Sequence, residues 1–219
     1  MKPIHIFIFV LFSISVNAQT NLFPHAKQKW VDSVFATLSV DQKIGQVLMP
    51  RGNSTPAYDT TRLFSIIRDY HVGGFVLFAG YPSVQAQLVN ELQKQSKVPL
   101  FIGMDLEWGL NMRLDSTVRF PYQMTLGAMQ GNDALIEKMG FQIAQQCKRI
   151  GVHINYAPVV DVNNNPANPV INFRSFGENR DLVTQKALAY MRGLQKGGII
   201  TSAKHFPGHG DTGVDSHYD

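Results

Sequence analysis

Apolar positions along the chain fall into two alternating patterns. Leu63, Ile66, Ile67 and Tyr70 recur at i, i+3, i+4 and i+7, which puts them on one face of a helix, so the segment after Asp59 is predicted helical. The same period predicts helices over residues 83–95 (Val84, Leu88, Leu92), 133–149 (Leu135, Met139, Ile143, Cys147) and 182–196 (Val183, Ala187, Tyr190, Met191, Leu194). The last of these stops at Gly197 and Gly198, where a left-handed terminal residue costs little. Ser39, with Gln42 three residues on, forms the pattern of a capping box and predicts a further helical turn.

Between the helices lie short, nearly continuous apolar runs at residues 74–78, 100–104, 154–162 and 199–203. A run without polar alternation fits a strand covered on both faces, and strands alternating with helices fit a parallel sheet. With residues 46–49 as a first strand, the chain holds five β/α steps. The expected fold class is α/β, a partial TIM-type (β/α)8 barrel with about five of its eight units present. No repeat, low-complexity segment or linker interrupts it.

The amino terminus changes the compartment. Lys2 precedes an apolar run from Ile6 to Val16, followed by Val16-Asn17-Ala18 ahead of Gln19, the layout of a secretory signal with a small-residue cleavage site. Such a run falls well short of the roughly 20 residues that cross a bilayer as a helix, and no other segment reaches that length. Residues 1–18 are therefore expected to be a signal peptide, and the product to be exported, periplasmic or secreted, with no stable membrane span. Residues 19–219 are expected to form one barrel domain. Losing Lys2 lowers the formal charge from +4 to +3, and without Lys/Arg blocks this gives no reason to invoke nucleic acid. The single cysteine, Cys147, has no partner for an internal disulfide and lies inside a helical pattern, so it reads as a small buried hydrophobe.

Polar residues gather just after the predicted strands: Asp105 and Glu107 after the third, Asp161 after the fourth, Lys204 and His205 after the fifth. In a parallel β/α barrel that end of the sheet carries the chemistry. The stretch from Lys204 to His217 contains three glycines and a proline, which argues for a tightly specified loop. Asp215 and His217 are one residue apart, so in an extended loop they point to the same side. A carboxylate holding one imidazole nitrogen fixes the tautomer and leaves the other nitrogen to carry a proton, as a general acid/base requires. Taken alone, the triplet is better explained as a surface-loop coincidence. His205, His209, Asp211, Asp215 and His217 could in principle bind a metal, but none has the spacing of a zinc motif, so no metal and no cofactor is expected.

Taken together, KHFPGHG at 204–210, DSH at 215–217, MDLEWGLNMR at 104–113 and NPVINFRSFGEN at 168–179 resemble glycoside hydrolase family 3, in its β-N-acetylglucosaminidase branch. The resemblance covers nearly all of residues 39–219. It implies a pocket for one terminal sugar, with Asp105 accepting from hydroxyls and Arg113, Arg174, Lys204 and His205 completing the substrate-binding set. Arg113 and Arg174 could alternatively pair with Glu107 or Glu178 as scaffold. His217 would be the catalytic proton donor, oriented by Asp215. Trp108 departs from the glycine common in that branch and is either a stacking platform or a buried aromatic. The implied reaction is exo-acting removal of terminal β-linked N-acetylglucosamine with retention, peptidoglycan fragments being the first substrate to consider.

That reaction also needs a carboxylate nucleophile, which the resemblance places on a later barrel strand than these residues contain. The domain at 19–219 is accordingly expected to be truncated at its carboxyl end, and inactive alone. Alternatives are a family 3 β-glucosidase, an enzyme using phosphate as acceptor, and a non-catalytic sugar-binding relic.

Overall fold

A computed structural model describes residues 28–218 of the chain; the expected signal peptide at 1–18 lies outside them. The chain divides between Thr37 and Leu38 into two compact units. Of the first, only the helix α1 (Gln28–Thr37) is described, and none of its residues is buried.

The second unit runs α2 (Val40–Gly45), β1 (Arg51–Ser54), α3 (Thr61–Tyr70), β2 (Gly74–Gly80), α4 (Pro82–Gln95), β3 (Phe101–Met104), α5 (Gln123–Gly127), α6 (Asp133–Arg149), β4 (Ile154–Asn155), α7 (Arg180–Lys196) and β5 (Ile200–Thr201). Short 3-10 turns occupy Leu110–Met112 and Asn172–Arg174. The five strands pair in chain order, all parallel, as consecutive units of a partial β/α barrel. Among the described residues no helix is long and apolar enough to cross a membrane.

Alternation within each strand separates two faces. Gly52 packs toward Leu63 and Leu77, and the Ser54 hydroxyl reaches Gln85 of α4, so these residues face the helical layer. Arg51 lies on the other face, with its guanidinium 4.6 Å from the centre of the Phe78 ring. On the helical side the core runs through Leu63, Phe75, Leu77, Leu92, Ile102 and Met104, all fully buried. Helix α6 packs closely on α7, Gly140 lying against the Tyr190 carbonyl and Gly193 against that of Glu137, and Ile143, Cys147, Tyr190 and Leu194 are all fully buried. Burial pushes the Cys147 thiol up to about 12, which fits an inert packing residue.

The capping box forms as the spacing predicts: the Gln42 amide donates to the Ser39 hydroxyl at 3.2 Å and the Gln42 side chain accepts from the Ser39 amide at 3.0 Å. The first strand, however, is not at 46–49. The α2 ladder carries on past its end, with the Val47 and Leu48 amides donating to Ile44 and Gly45, so those residues make a turn. The strand that follows, Arg51–Ser54, is polar because Arg51 on its inward side stacks on Phe78 and Ser54 on its outward side meets Gln85, which hides it from an apolar-run criterion. The fourth run is also shorter than 154–162. Pro158 has no amide to donate, so the ladder stops at Asn155 and resumes only as a bridge from Val159 to Lys204.

Two buried groups below the sheet end hold the segment after β3. Asn155 accepts from the Leu106 amide at 3.0 Å and donates to its carbonyl at 3.3 Å. Tyr190, fully buried on α7, donates its hydroxyl toward the carbonyls of Leu106 and Glu107 at 3.1 and 3.0 Å. Removing that hydroxyl takes one buried donor from each carbonyl, leaving Asn155 and the Gly109 amide on Leu106 and Gln123 on Glu107. Tyr190→Phe is expected to cost about 1–2 kcal/mol in urea unfolding, and an unchanged midpoint would show that the hydroxyl does not clamp the segment.

Candidate functional site

The site begins with the alternation in Asp105-Leu106-Glu107. Leu106 is fully buried in the core, which turns the carboxylates on either side of it toward the carboxyl end of the sheet. Lys204, just beyond β5, spans both: its Nζ lies 2.7 Å from Asp105 Oδ1 and 2.8 Å from Glu107 Oε1. Arg113 donates to the other Asp105 oxygen at 2.9 Å. Arg174 forms a two-pronged pair with Glu107, at 2.9 Å through Nε and 2.7 Å through Nη2. The Glu107 side chain is fully buried and those of Arg174 and Lys204 nearly so, at 17% and 15% exposure. Three cations thus face two carboxylates.

His205 belongs to a second cluster, centred on the buried carboxylate of Asp161. One Asp161 oxygen accepts from the His205 amide at 3.1 Å and lies 2.7 Å from His205 Nδ1, while the other accepts from the His209 amide at 2.7 Å. An ionised carboxylate only accepts, so Nδ1 carries the proton and Nε2 of His205 is left free to accept. Gly210 is needed here because a side chain would run into the carbonyl of Val162. A cleft of about 540 Å³ opens alongside, lined by Asp161, Asn164, His205, Phe206, Gly208 and Asp211. A second cavity, of about 300 Å³, lies where α3 and α4 end, at the amino end of the sheet and away from these charges.

The Asp215–His217 pair forms as its spacing suggests. His217 Nδ1 lies 2.5 Å from Asp215 Oδ1, and the same oxygen accepts from the His217 amide at 3.0 Å. The imidazole is 74% exposed, with Nε2 turned from the carboxylate. The loop is joined to the second cluster through Ser216, whose hydroxyl lies 3.2 Å from His209 Nε2, while His209 Nδ1 meets the Thr212 hydroxyl. Buried Asn168 donates to the His209 carbonyl at 2.6 Å and accepts from the amides of Val170 and Ile171, which ties this loop to the one carrying Arg174.

The structure therefore brings Asp105, Arg113, Arg174 and Lys204 into one network, puts His205 in an adjoining one and leaves Asp215 and His217 on the exposed loop beyond it. Arg174 does pair with Glu107, whereas Arg113 pairs with Asp105, not with Glu107 or Glu178. Sequence reasoning undervalued Glu107 and Asp161, which do the organising, weighed His209 only as a possible metal ligand, and passed over Asn168 and Asn165, whose side-chain amide donates to the Thr212 carbonyl at 3.1 Å. The position of both acids directly after strands was the available signal. Among the described residues no three His, Cys, Asp or Glu side chains are grouped to hold a metal ion.

Burial would raise all three pocket carboxyls, but their partners override it. Lys204 and then Arg113 hold Asp105 below the ordinary carboxylate range, Arg174 and Lys204 do so for Glu107, and His205 with the His209 amide does so for Asp161. Each group's folded pKa lies below its unfolded value, so below the ordinary range the unfolded chain binds more protons. The stability these groups contribute is complete above about pH 5 and is lost as pH falls below about 4. Glu107→Gln is expected to flatten that acid limb while costing on the order of 3 kcal/mol at pH 7, because Arg174 loses its charged partner. Urea unfolding between pH 3 and 8 measures both, and an acid limb as steep as the parent's would remove Glu107 from the linkage.

The profile described as the glycosyl hydrolase family 3 N terminal domain matches residues 39–219. Beta-hexosaminidase A of Pseudoalteromonas piscicida is 37% identical over 82% of this chain and 34% of its own length. A family 3 beta-N-acetylglucosaminidase structure from Paenibacillus sp. superposes with a TM-score of 0.72 at 36% identity, covering 82% of this chain and 35% of that one. The beta-glucoside phosphorylase BglX bound to 2FGlc superposes with a TM-score of 0.82 at 28% identity, covering 89% and 35%. The chain spans about a third of the length of these relatives. By the match over residues 39–219, the chain belongs to glycosyl hydrolase family 3.

Proposed function

We propose that this chain is the sugar-binding and proton-donating part of an exported, exo-acting glycoside hydrolase that releases terminal β-linked N-acetylglucosamine with retention. The observation that carries the reading is the charged network at the strand ends, with a carboxylate-held imidazole on the neighbouring loop. A pyranose presents a ring of hydroxyls, and charged groups held in fixed geometry bind these through directed, charge-assisted hydrogen bonds. Asp105 and His205 Nε2 supply acceptors, while Arg113, Arg174 and Lys204 supply donors. Because the cations are already spaced by Asp105 and Glu107, they need no reorganisation when a sugar arrives.

His217 takes the proton-transfer role. With Nδ1 held by Asp215, Nε2 is the nitrogen that donates to the leaving oxygen and later accepts from water. Its exposed position requires the loop to turn the ring onto the glycosidic oxygen after the sugar is seated. Retention requires in addition a carboxylate on the opposite face of the ring. Asp105 and Glu107 are both held in ion pairs, which suits them to binding, and the family resemblance assigns the nucleophile to an aspartate on a later barrel strand. The hexosaminidase relatives favour the acetamido sugar, and export would bring cell-wall fragments within reach. The likeness to a beta-glucoside phosphorylase favours a second reading, in which phosphate is the acceptor.

On the full-length protein, His217→Ala is expected to slow release of poorly leaving sugar alcohols about 10²–10⁴-fold, the usual size of a general-acid contribution. An activated aryl N-acetylglucosaminide, which leaves without protonation, should lose far less in the glycosylation step. Equal losses on both substrates would take the acid role from His217. Product analysis in phosphate buffer separates the two readings: free N-acetylglucosamine supports hydrolysis, and a sugar 1-phosphate supports the phosphorylase.

A further inference from the structure

Alternation along β2 sends Phe75 and Leu77 into the helical layer, where both are fully buried, and leaves Phe78 on the opposite face. There it is half-buried and takes no part in the hydrophobic core. What meets it is charge: the Arg51 guanidinium lies 4.6 Å from the ring centre and that of Arg113 lies 4.9 Å from it. A cation at such a distance is drawn to the negative face of the ring.

The two arginines reach the ring from the segments that flank β2. Arg51 opens β1, in register with Val76, two residues before Phe78. Beyond the end of β3 the segment around Leu114 takes that strand's place beside Gly80: the Gly80 amide donates to the Arg113 carbonyl at 3.2 Å and the Asp115 amide donates to the Gly80 carbonyl at 3.0 Å. The Arg113 backbone is thus tethered two residues from the ring. Its side chain has fewer anchors than that of Arg174, which grips Glu107 with two prongs and the Val170 carbonyl with a third N–H. Arg113 donates to Asp105 at 2.9 Å, and its buried Nε has no hydrogen-bond partner among the described residues. One such bond fixes the distance to the carboxylate but leaves the guanidinium plane free to turn about it, and an aromatic ring beside the cation limits that freedom.

We infer that Phe78 is a positioning residue for the terminal-sugar pocket: its ring, which Arg51 also engages, sets the plane of the Arg113 guanidinium, so that the N–H groups not spent on Asp105 are aimed at a sugar hydroxyl. The inference rests on the reading that the charged network binds the terminal sugar, and it adds a side chain that acts on the sugar only through Arg113. Without the ring, Arg113 still pairs with Asp105. The donors a sugar meets are then spread over a range of orientations, and binding has to order them at a cost in affinity.

Titration calorimetry with N-acetylglucosamine on the full-length protein tests this. Phe78→Leu keeps an apolar side chain and removes the ring face, and it is expected to weaken binding about fivefold, the scale of one cation–ring contact. In an Arg113→Ala background the same change should cost less than about twofold more, because nothing is left for the ring to position. Mono-, di- and trifluorinated phenylalanine at position 78 drain the ring face at nearly constant shape, so affinity should fall step by step along that series, which also decides the matter if Phe78→Leu does not fold. A flat series, or a leucine loss undiminished in the Arg113→Ala background, overturns the positioning role and leaves the terminal-sugar reading intact. An Arg113→Ala variant that binds as tightly as the parent overturns it as well, the other charged groups then holding the sugar alone. A parent that does not bind N-acetylglucosamine removes the terminal-sugar reading, and the role of Phe78 with it.

Discussion

The ammonium of Lys204, shared between Asp105 and Glu107, is the interaction on which the rest of the site depends. It joins the end of β3 to the end of β5 across the intervening β4, so the relative height of three strands fixes whether the contact can form. Like charges two residues apart on one strand end would otherwise repel, and at an effective dielectric of about 20 that repulsion is worth kcal/mol, not tenths. One cation placed between them cancels it, and Arg113 and Arg174 cap the outer oxygens. The result is a fixed grid of donors and acceptors with a small positive excess, which under the proposed function meets the hydroxyls of a sugar.

Beneath the grid the burden passes to neutral groups. The backbone of Leu106 cannot join the ladder where the chain turns, yet it is buried, so Asn155 serves as a substitute strand for it, and Tyr190 adds a second side-chain donor to the Leu106 carbonyl. These partners sit on β4 and α7, elements separated from β3 by a whole β/α unit or more. A local segment of three residues is thereby positioned by long-range packing. The same division recurs at Asp161, where a buried acid gathers two backbone amides and an imidazole to shape the loop beyond β5.

This explains which features could be read from the chain alone. The helices follow from periodic apolar positions and a capping box, because those signals are local and each helix buries one face. The third and fifth strands were legible as apolar runs, and the charged residues behind them as a site. The first strand was not, because Arg51 and Asn53 line the inner face and Ser54 meets Gln85, leaving no apolar run to notice. Glu107 and Asp161 were visible as residues after strands, but their weight depends on which cations come to them, and that is set by registers between strands distant in sequence. Asn165 and Asn168 in an Asn- and Pro-rich stretch look like ordinary loop residues until the second loop is seen against them.

The separation between the grid and the Asp215–His217 pair has a physical logic of its own. Groups that hold a sugar gain from burial, since a low dielectric strengthens each hydrogen bond they make. A group that exchanges protons first with a leaving oxygen and then with water needs access to both, and burial would hinder the second exchange. Asp215 meets the requirement without burial: it binds both the amide and Nδ1 of His217, which fixes ring and tautomer locally on an exposed loop. Ser216, between the two, ties that loop to His209 and through it to Asp161, the acid that also holds His205. His217's loop is thereby joined to His205 by a short chain of hydrogen bonds, and under the proposed function a change at His205 on ligand binding has a direct route to the proposed proton carrier.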